Sequence, residues 1–304
     1  MKTRALGLCV LLAAAVVAAE PPKAQKTFPT PKAAADALVA AAERFDVPAI
    51  LEILGPDGKD LVDSNDPASD KSQAAELVKQ ARAKLVATPD PKNPGRATIV
   101  VGNEDWPLPI PVVKGAAGWR FDTAAGKKEI LLRRIGRNEL DAIEVCHGYV
   151  EAQEEYALEP RGHATVVQYA QRIVGSADKQ DGLAWRDADG TWRGPVGEKI
   201  ARAIAEGYAS KGEPYHGYYF KILKGQGPSA PLGALDFVVD GMMIGGFALV
   251  ASPAEYEVSG IKSFIVSHDG VVYEKDLGKE TLKAFQAMSL FDPDPSWTPV
   301  KDSD

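Results

Sequence analysis

The sequence lacks long apolar runs, since no segment after residue 19 approaches the roughly 18 apolar residues of a membrane-spanning helix. The one apolar run, residues 5–19, is short and rich in alanine. Lys2 and Arg4 precede it, and Glu20 with two prolines follows it. This order predicts a secretory signal peptide that is cleaved after Ala19, with a retained N-terminal anchor as the alternative. We therefore expect a periplasmic or secreted protein with no membrane span after signal cleavage.

Cysteine is scarce as well, with only Cys9 and Cys146 in the whole chain. Cys9 falls inside the predicted signal peptide, so Cys146 is the one cysteine expected in the mature protein. A secreted chain with a single cysteine has no internal disulfide and must be held together by its hydrophobic core. Cys146 lies in a helical pattern, which favours a buried thiol over a reactive one.

Positively charged residues are fewer than negatively charged ones, with 35 lysines and arginines against 42 aspartates and glutamates. Residues 1–19 carry two positive charges and no negative one, so their removal takes the net charge from −7 to −9. An acidic chain with no lysine- and arginine-rich run is not typical of a protein that binds nucleic acid or anionic lipid. We expect an envelope protein or a small ligand as the partner, and no nucleic acid.

Recognisable catalytic motifs are missing too. The sequence has no serine-hydrolase elbow, zinc-protease motif, paired-cysteine metal site or phosphate loop. Cys146 and His147 together suggest a thiol hydrolase, because a cysteine needs a nearby base to become nucleophilic. Neighbouring residues on a helix point about 100° apart, however, and do not face each other. The sequence therefore favours a protein without an active site.

The N-terminal half changes from helical to strand periodicity. Thr30-Pro31 predicts a helix start, with threonine as N-cap and proline at the first helical position. Two more helices are predicted over Val47–Leu54 and Ser69–Val86, followed by a loop over Thr88–Gly95. Strands are predicted in residues 97–103, 106–113, 118–122 and 129–134. Helices followed by a meander predict an α+β unit, with the helices against one face of an antiparallel sheet.

The C-terminal half begins with the longest predicted helix, from about Asn138 to Leu158. Its acidic residues are typical of a solvated face, with a metal site as the alternative; they are Glu139, Asp141, Glu144, Glu151, Glu154 and Glu155. Short helices are predicted at residues 165–174 and 196–209, and a closing helix at 277–288. Strands are predicted near residues 215–223, 247–251, 261–267 and 271–273, with a two-residue hairpin turn at Asp269-Gly270.

Two candidate sites stand out in this half. Tyr215, His216, Tyr218 and Tyr219 place aromatic groups on both faces of one strand, which could line a sugar or peptide groove or be buried on both sides. Four aspartates resemble part of a calcium loop, although the closing glutamate is missing and Asp-Gly also forms turns without metal; they are Asp178, Asp181, Asp187 and Asp189.

Several ordered blocks carry a family resemblance. YHGYYFKIL, GGFALVASPAEY, SGIKSFIVSHDGVVYEKDLG and FDPDPSW resemble a bacterial secreted family known as domain-of-unknown-function family 2950, over residues 30–300. The C-terminal half is also similar to the globular part of pilins and pseudopilins, which implies a long helix on a four-stranded antiparallel sheet. The N-terminal half resembles the nuclear-transport-factor-two-like cone in its order of elements. The predicted segments are a signal peptide (1–19), a flexible lead-in (20–29), a cone-like domain (30–136) and a pilin-like domain (137–304).

These observations leave three functions open. The first is a non-catalytic binding or assembly module of the bacterial envelope, because no reactive constellation is present and the C-terminal half is pilin-like. The second is a small-molecule carrier with a cavity in the N-terminal domain. The third is a hydrolase whose carboxylates form no recognised motif. No cofactor is predicted apart from the calcium alternative.

Overall fold

The computed structural model describes residues 24–62, 67–161, 164–176, 179–196 and 214–301. Within these ranges the protein is α+β, as predicted, and it divides into two compact units, Met1–Glu129 and Ile130–Asp304. Each unit is described by itself. The predicted signal peptide and the helix predicted at 196–209 lie outside the described residues, apart from Val196.

The first unit opens with helices whose ends follow ordinary capping rules. They are α1 (Pro31–Glu43), α2 (Val47–Leu54), α3 (Lys59–Val62) and α4 (Pro67–Ala83). The hydroxyl of Thr30 accepts a hydrogen bond from the backbone N–H of Ala33 at 3.1 Å, and Pro31 occupies the first turn, which confirms the predicted helix start. Asp46 caps α2 in the same way through the N–H of Ala49.

An antiparallel sheet follows these helices. Its strands are β1 (Leu85–Asp90), β2 (Asn93–Val101), β3 (Trp106–Pro107), β4 (Val112–Gly115) and β5 (Gly118–Phe121). The order across the sheet is β1-β2-β4-β5, and β3 pairs with the end of β2. The loop predicted over Thr88–Gly95 was wrong, because β1 and β2 form a hairpin there. Pro89 is tolerated in β1 because this strand lies at the edge of the sheet.

The core of the first unit lies between α1, α2 and one face of this sheet. Ile99, Val112 and Phe121 are fully buried against Ala34 and other small side chains of the helices. The segment predicted as a flexible lead-in contributes as well. Phe28 exchanges two backbone hydrogen bonds with Trp119, at 2.7 and 2.8 Å, so the chain preceding α1 is docked onto β5.

A single helix, α5 (Thr123–Tyr156), runs for 34 residues. Asp122 starts it by accepting a hydrogen bond from the N–H of Ala125 at 3.2 Å. The strand predicted at residues 129–134 was therefore wrong. Leucine, arginine, lysine and glutamate have high helix propensity, and no proline interrupts residues 123–156, so the helix continues through that segment. The predicted domain boundary after residue 136 lies inside α5, whereas the compact units divide after Glu129.

The second unit contains the main sheet. Its strands are β8 (Tyr218–Leu223), β13 (Ala248–Pro253), β14 (Lys262–Ser267), β15 (Val272–Asp276) and β16 (Thr298–Pro299). All neighbours are antiparallel, in the order β16-β15-β14-β13-β8. Four strands have five or six residues and β16 adds a two-residue edge. The predicted hairpin at Asp269-Gly270 is confirmed, but its two-residue turn was wrong, because Val266 and Val272 are the last paired residues and residues 267–271 lie between them.

Shorter elements complete the second unit. They are β6 (Trp185–Arg186), β7 (Trp192–Arg193), β9 (Gly225–Gln226), β10 (Leu235–Asp236), β11 (Val238–Val239), β12 (Met242–Met243) and helix α6 (Thr281–Ala287). The helix predicted at 165–174 was wrong, because the described residues 164–174 form no helix.

The core of the second unit lies between α5 and the main sheet. Cys146 and Tyr149 of the helix are buried together with Leu249 and Val250 of β13. The carboxylate of Glu139 fixes the helix to the start of β14 by accepting hydrogen bonds from the N–H groups of Ile261 and Lys262, at 2.9 and 3.0 Å. The arrangement is a helix on an antiparallel sheet, and the finer likeness to pilins stays a prediction.

Candidate binding cleft

A cleft of about 460 Å³ lies in the second unit, along one face of α5. Its other walls come from residues 173–196 and from the turn that precedes β8. The lining residues are Asp141, Glu144, Val145, His147, Gly148, Tyr149, Glu151, Ile173, Leu183, Pro195, Val196, Tyr215, His216 and Leu249.

A two-residue turn places the aromatic wall of this cleft. Tyr215 and Tyr218 exchange two backbone hydrogen bonds, at 2.9 and 3.0 Å, across His216 and Gly217. Both central residues have positive φ, +47° and +75°, as a type I′ turn requires. Histidine is among the few side chains that adopt this conformation readily. The sequence His-Gly thus sets the turn, and the turn holds the imidazole at its tip.

The imidazole of His216 contacts a carboxylate of the helix. Its Nδ1 lies 2.5 Å from Oδ2 of Asp141, and the ring of Tyr215 lies 4.3 Å from the imidazole, centroid to centroid. Burial raises the pKa of the Tyr215 hydroxyl, and the negative charges of Asp141 and Glu144 raise it further. The two carboxylates, rather than the burial, contribute a negative potential at this end of the cleft.

Three carboxylates of α5 line the cleft, from Asp141, Glu144 and Glu151. Spacings of three and seven residues put them on the same side of a helix. None of the described residues that line the cleft is a lysine or an arginine. The cleft therefore combines aromatic rings with an excess of negative charge, which suits a positively charged group.

A buried hydrogen-bond network attaches the chain at Ala170 to α5, shortly before the residues that form the second wall of the cleft. The side-chain amide of Gln153, which is fully buried, accepts from the N–H of Ala170 at 2.8 Å and donates to its carbonyl at 2.9 Å. The same amide donates to the hydroxyl of Tyr149, which in turn donates to the carbonyl of Ala248. The backbone N–H and carbonyl of Ala170 thus bond to a side chain instead of to other backbone groups, which is consistent with the absence of the helix predicted at 165–174.

Thiol chemistry is not available at this cleft. Cys146 is fully buried, and burial raises the pKa of its thiol to about 12, so the nucleophilic thiolate is not populated at neutral pH. His147 instead lines the cleft. The two neighbours on the helix thus face different surroundings, as expected from their angular separation.

The four aromatic candidates of the sequence separate into two pairs. Tyr215 and His216 line the cleft. Tyr218 is almost fully buried, and its hydroxyl donates to the carbonyl of Lys262 at 2.8 Å, so it belongs to the core. Tyr219 packs against the core and is not among the residues that line the cleft.

The aspartates that were candidates for calcium binding form hydrogen bonds or ion pairs with nearby residues. Asp181 accepts hydrogen bonds from the N–H and hydroxyl of Ser176, Asp187 pairs with Arg193, and Asp189 accepts from the N–H of Thr191. Asp178 lies outside the described residues. Among the residues that the structure describes, no three histidine, cysteine or carboxylate side chains come together as metal ligands.

The carboxylates on α5 are the part of the site that the sequence interpretation missed, because it assigned them to a solvated face. Their signal was present in the spacing of Asp141, Glu144 and Glu151, but it resembles that of any exposed helix face. Only the position of Tyr215 and His216 opposite them distinguishes this face from solvated ones.

Comparison with known proteins gives one family. A family model described as "Protein of unknown function (DUF2950)" matches residues 25–300. No curated protein and no solved structure matches the chain. In the described part of the chain, no helix has the length and apolar character to cross a membrane.

Proposed function

Because this chain belongs to the DUF2950 family, whose description states no activity, we propose its function from the cleft: it is an exported, non-catalytic binding module that holds a cationic group of its ligand. One observation carries this proposal: three carboxylates and several aromatic rings line the cleft together. The described lining contains no lysine or arginine that would neutralise the carboxylates.

Each part of the cleft has a role in such binding. Glu144 and Glu151 supply attraction at the rim, where a charge pair near the protein surface is worth on the order of 1 kcal/mol. The ring of Tyr215 offers an electron-rich face to the cation. Asp141 fixes His216 through their contact, so the rings are held in place before the ligand arrives.

The cellular setting of this proposal is the bacterial envelope, either periplasmic or secreted. It is supported by the basic start and short apolar run of residues 1–19, which are typical of a signal peptide. The packing of α5 on an antiparallel sheet is compatible with the pilin-like assembly module predicted from sequence. A ligand presented by another envelope protein, such as a basic side chain, would serve both binding and assembly.

The two alternative functions have less support. A carrier with a cavity in the first unit would need space between the sheet and the helices, where Ile99 of β2, Val112 of β4 and Phe121 of β5 form one buried cluster with side chains of α1 and α2. A hydrolase could use the His216–Asp141 pair as an oriented base. It would also need a nucleophile, and the described lining has no serine, threonine or cysteine, so a carboxylate, a tyrosine or a bound water would have to attack.

Calorimetric titration with a matched pair of ligands tests the proposal. Nα-acetyl-lysine amide carries the cation, and Nα-acetyl-norleucine amide has a similar shape without charge. The lysine derivative should bind and the norleucine derivative should not. The double variant Glu144→Gln and Glu151→Gln should weaken binding about tenfold, or ~1.4 kcal/mol.

The control variant is Glu154→Gln, which removes one charge from an exposed position of the same helix outside the cleft. It should leave the affinity within about twofold of that of the unmodified protein. Equal weakening by the control, or equal binding of both ligands, would contradict the proposal.

A further inference from the structure

A second pocket, of about 310 Å³, lies beside the cleft and extends it along α5. Glu155 lines this pocket one helical turn beyond Glu151, which lines the cleft, and Pro195 lines both. The two spaces thus adjoin along one helix face. The second pocket differs in charge, because it also contains Arg161 and Arg193.

The side chain of Arg161, which lines this pocket, is fixed by contacts with its neighbours. Its guanidinium lies 5.5 Å from the ring centroids of both Tyr156 and Trp185, and its Nε donates to the carbonyl of Tyr156 at 3.2 Å. Only 16% of the side chain is exposed. A guanidinium fixed in this way loses little conformational entropy when it binds a ligand.

Arg193 also lines this pocket, and it is the cross-strand partner of Trp185 in the β6–β7 pair. Its Nε donates to Oδ2 of Asp187 at 3.1 Å, which orients the guanidinium. Nη1 of Arg161 lies 3.3 Å from Oε1 of Glu159, whereas the described part of the chain offers no acceptor to Nη2 of Arg161 or to either terminal nitrogen of Arg193. The buried indole N–H of Trp185 in the same wall also has none there.

We propose that the ligand is dipolar: its cationic group occupies the cleft, and a carboxylate of the same molecule binds between Arg161 and Arg193. This inference rests on the proposed function. Carboxylates match the forked donors of arginine with two parallel hydrogen bonds. The two carboxylates that line the second pocket, Glu155 and Asp187, are balanced by its two arginines, so it has no surplus of negative charge comparable to that of the cleft.

The distance along α5 indicates the class of ligand. Eleven residues separate Glu144 from Glu155, or about 16 Å along the helix axis. A lysine side chain followed by two or three extended residues covers about the same length, at ~3.3 Å per residue. A peptide with a basic side chain close to a free C-terminal carboxylate therefore fits both pockets at once.

Two peptides test this inference by calorimetry at low salt. Nα-acetyl-Lys-Gly-Gly with a free carboxylate is compared with its C-terminal amide, using the full mature chain. The free carboxylate should raise affinity about tenfold. Arg193→Gln should remove most of that preference while the amide still binds with unchanged affinity. The control Arg172→Gln, which alters another aspartate-paired arginine outside both pockets, should retain the preference.

The outcomes separate the two proposals. If both peptides bind with equal affinity, the carboxylate site is refuted and the cationic cleft stands. If neither peptide binds, both proposals fail together. If the preference persists in both Arg193→Gln and Arg161→Gln, with thermal unfolding showing that each variant is folded, the assignment to this pocket is overturned.

Discussion

Adjacent side chains can have unrelated environments, and Cys146 and His147 are the clearest case in this protein. The thiol lies in the core between α5 and the main sheet, whereas the imidazole lines the cleft. Cys146 therefore belongs to the core, whereas His147 belongs to the proposed binding site. Tyr215 and Tyr218 differ in the same way across one tight turn.

The buried thiol should be inert in the folded protein. Burial raises the pKa of Cys146 to about 12, whereas an unfolded thiol ionises near pH 8.5. The stability that the neutral thiol contributes is thus complete below about pH 8.5 and decreases at higher pH. Thiol labelling at pH 8 should be about a thousandfold slower in native protein than in guanidinium, because only opened molecules react. Comparable rates in both states would contradict this burial.

Gly217 should be required for the turn that holds His216. A Cβ at this position would lie 2.6 Å from Nδ2 of Asn138 and 2.9 Å from Cβ of Ser259, with φ at +75°. Gly217→Ala should lower the free energy of unfolding by about 2–3 kcal/mol, from left-handed strain, the clash and the loss of the Asn138–Ser259 hydrogen bond.

Gly270→Ala is the matched control for this change. Its φ is +76°, and nothing lies within 4 Å of the added Cβ, so only the strain of about 1 kcal/mol applies. Urea unfolding measures both variants. Equal losses would show that the contacts around Gly217 are unimportant.

At the scale of elements, α5 organises the second unit because it contributes to the core, to the cleft and to the network around Gln153. The periodicity of residues 138–158 predicted its second half correctly. Its first half was misassigned, because the short apolar segment at 129–134 fits a strand or a helix equally well when considered alone. The hairpin at Asp269-Gly270 was predictable because turn chemistry is local, whereas the coil at 164–174 depends on Gln153, which is distant in sequence.

The Gln153 network should be a large single contribution to stability. Gln153→Met keeps the approximate size of the side chain but leaves the N–H and carbonyl of Ala170 without partners in a buried site. Each unsatisfied buried group costs about 1–3 kcal/mol, so a loss of about 2–4 kcal/mol is expected in urea unfolding. Glu154→Gln, next to it but exposed, should change stability by less than about 0.5 kcal/mol. A loss of similar size in both variants would refute the role of the network.

At the scale of the whole molecule, stability is expected to come from two packed cores without covalent links. Each unit has its own set of buried apolar side chains, and Cys146 is the free cysteine among the described residues. Composition and order of elements were enough to predict an α+β chain. The cleft could not be predicted, because it depends on bringing the 215–216 turn opposite residues 141–151, which no local pattern encodes.

The processed protein should begin at Glu20 and should not depend on disulfides. Loss of residues 1–19 removes Cys9, so the mature chain retains one cysteine. N-terminal sequencing of protein isolated from the producing cell's envelope identifies the first residue of the mature chain. Thermal unfolding with and without a reducing agent shows whether stability depends on a disulfide. An unprocessed N-terminus, or a melting temperature that falls on reduction, would contradict these expectations.

Binding of a cation in the cleft should be visible in the ring signals of the histidines that line it. The chain has four histidines, of which His147 and His216 line the cleft, whereas His268 packs against Phe237 and Phe247. In an NMR titration with Nα-acetyl-lysine amide, we expect the signals of His147 and His216 to shift with one common affinity while those of His268 stay in place. No shift at His147 and His216, or the same shifts with Nα-acetyl-norleucine amide, would contradict binding of a cation in the cleft.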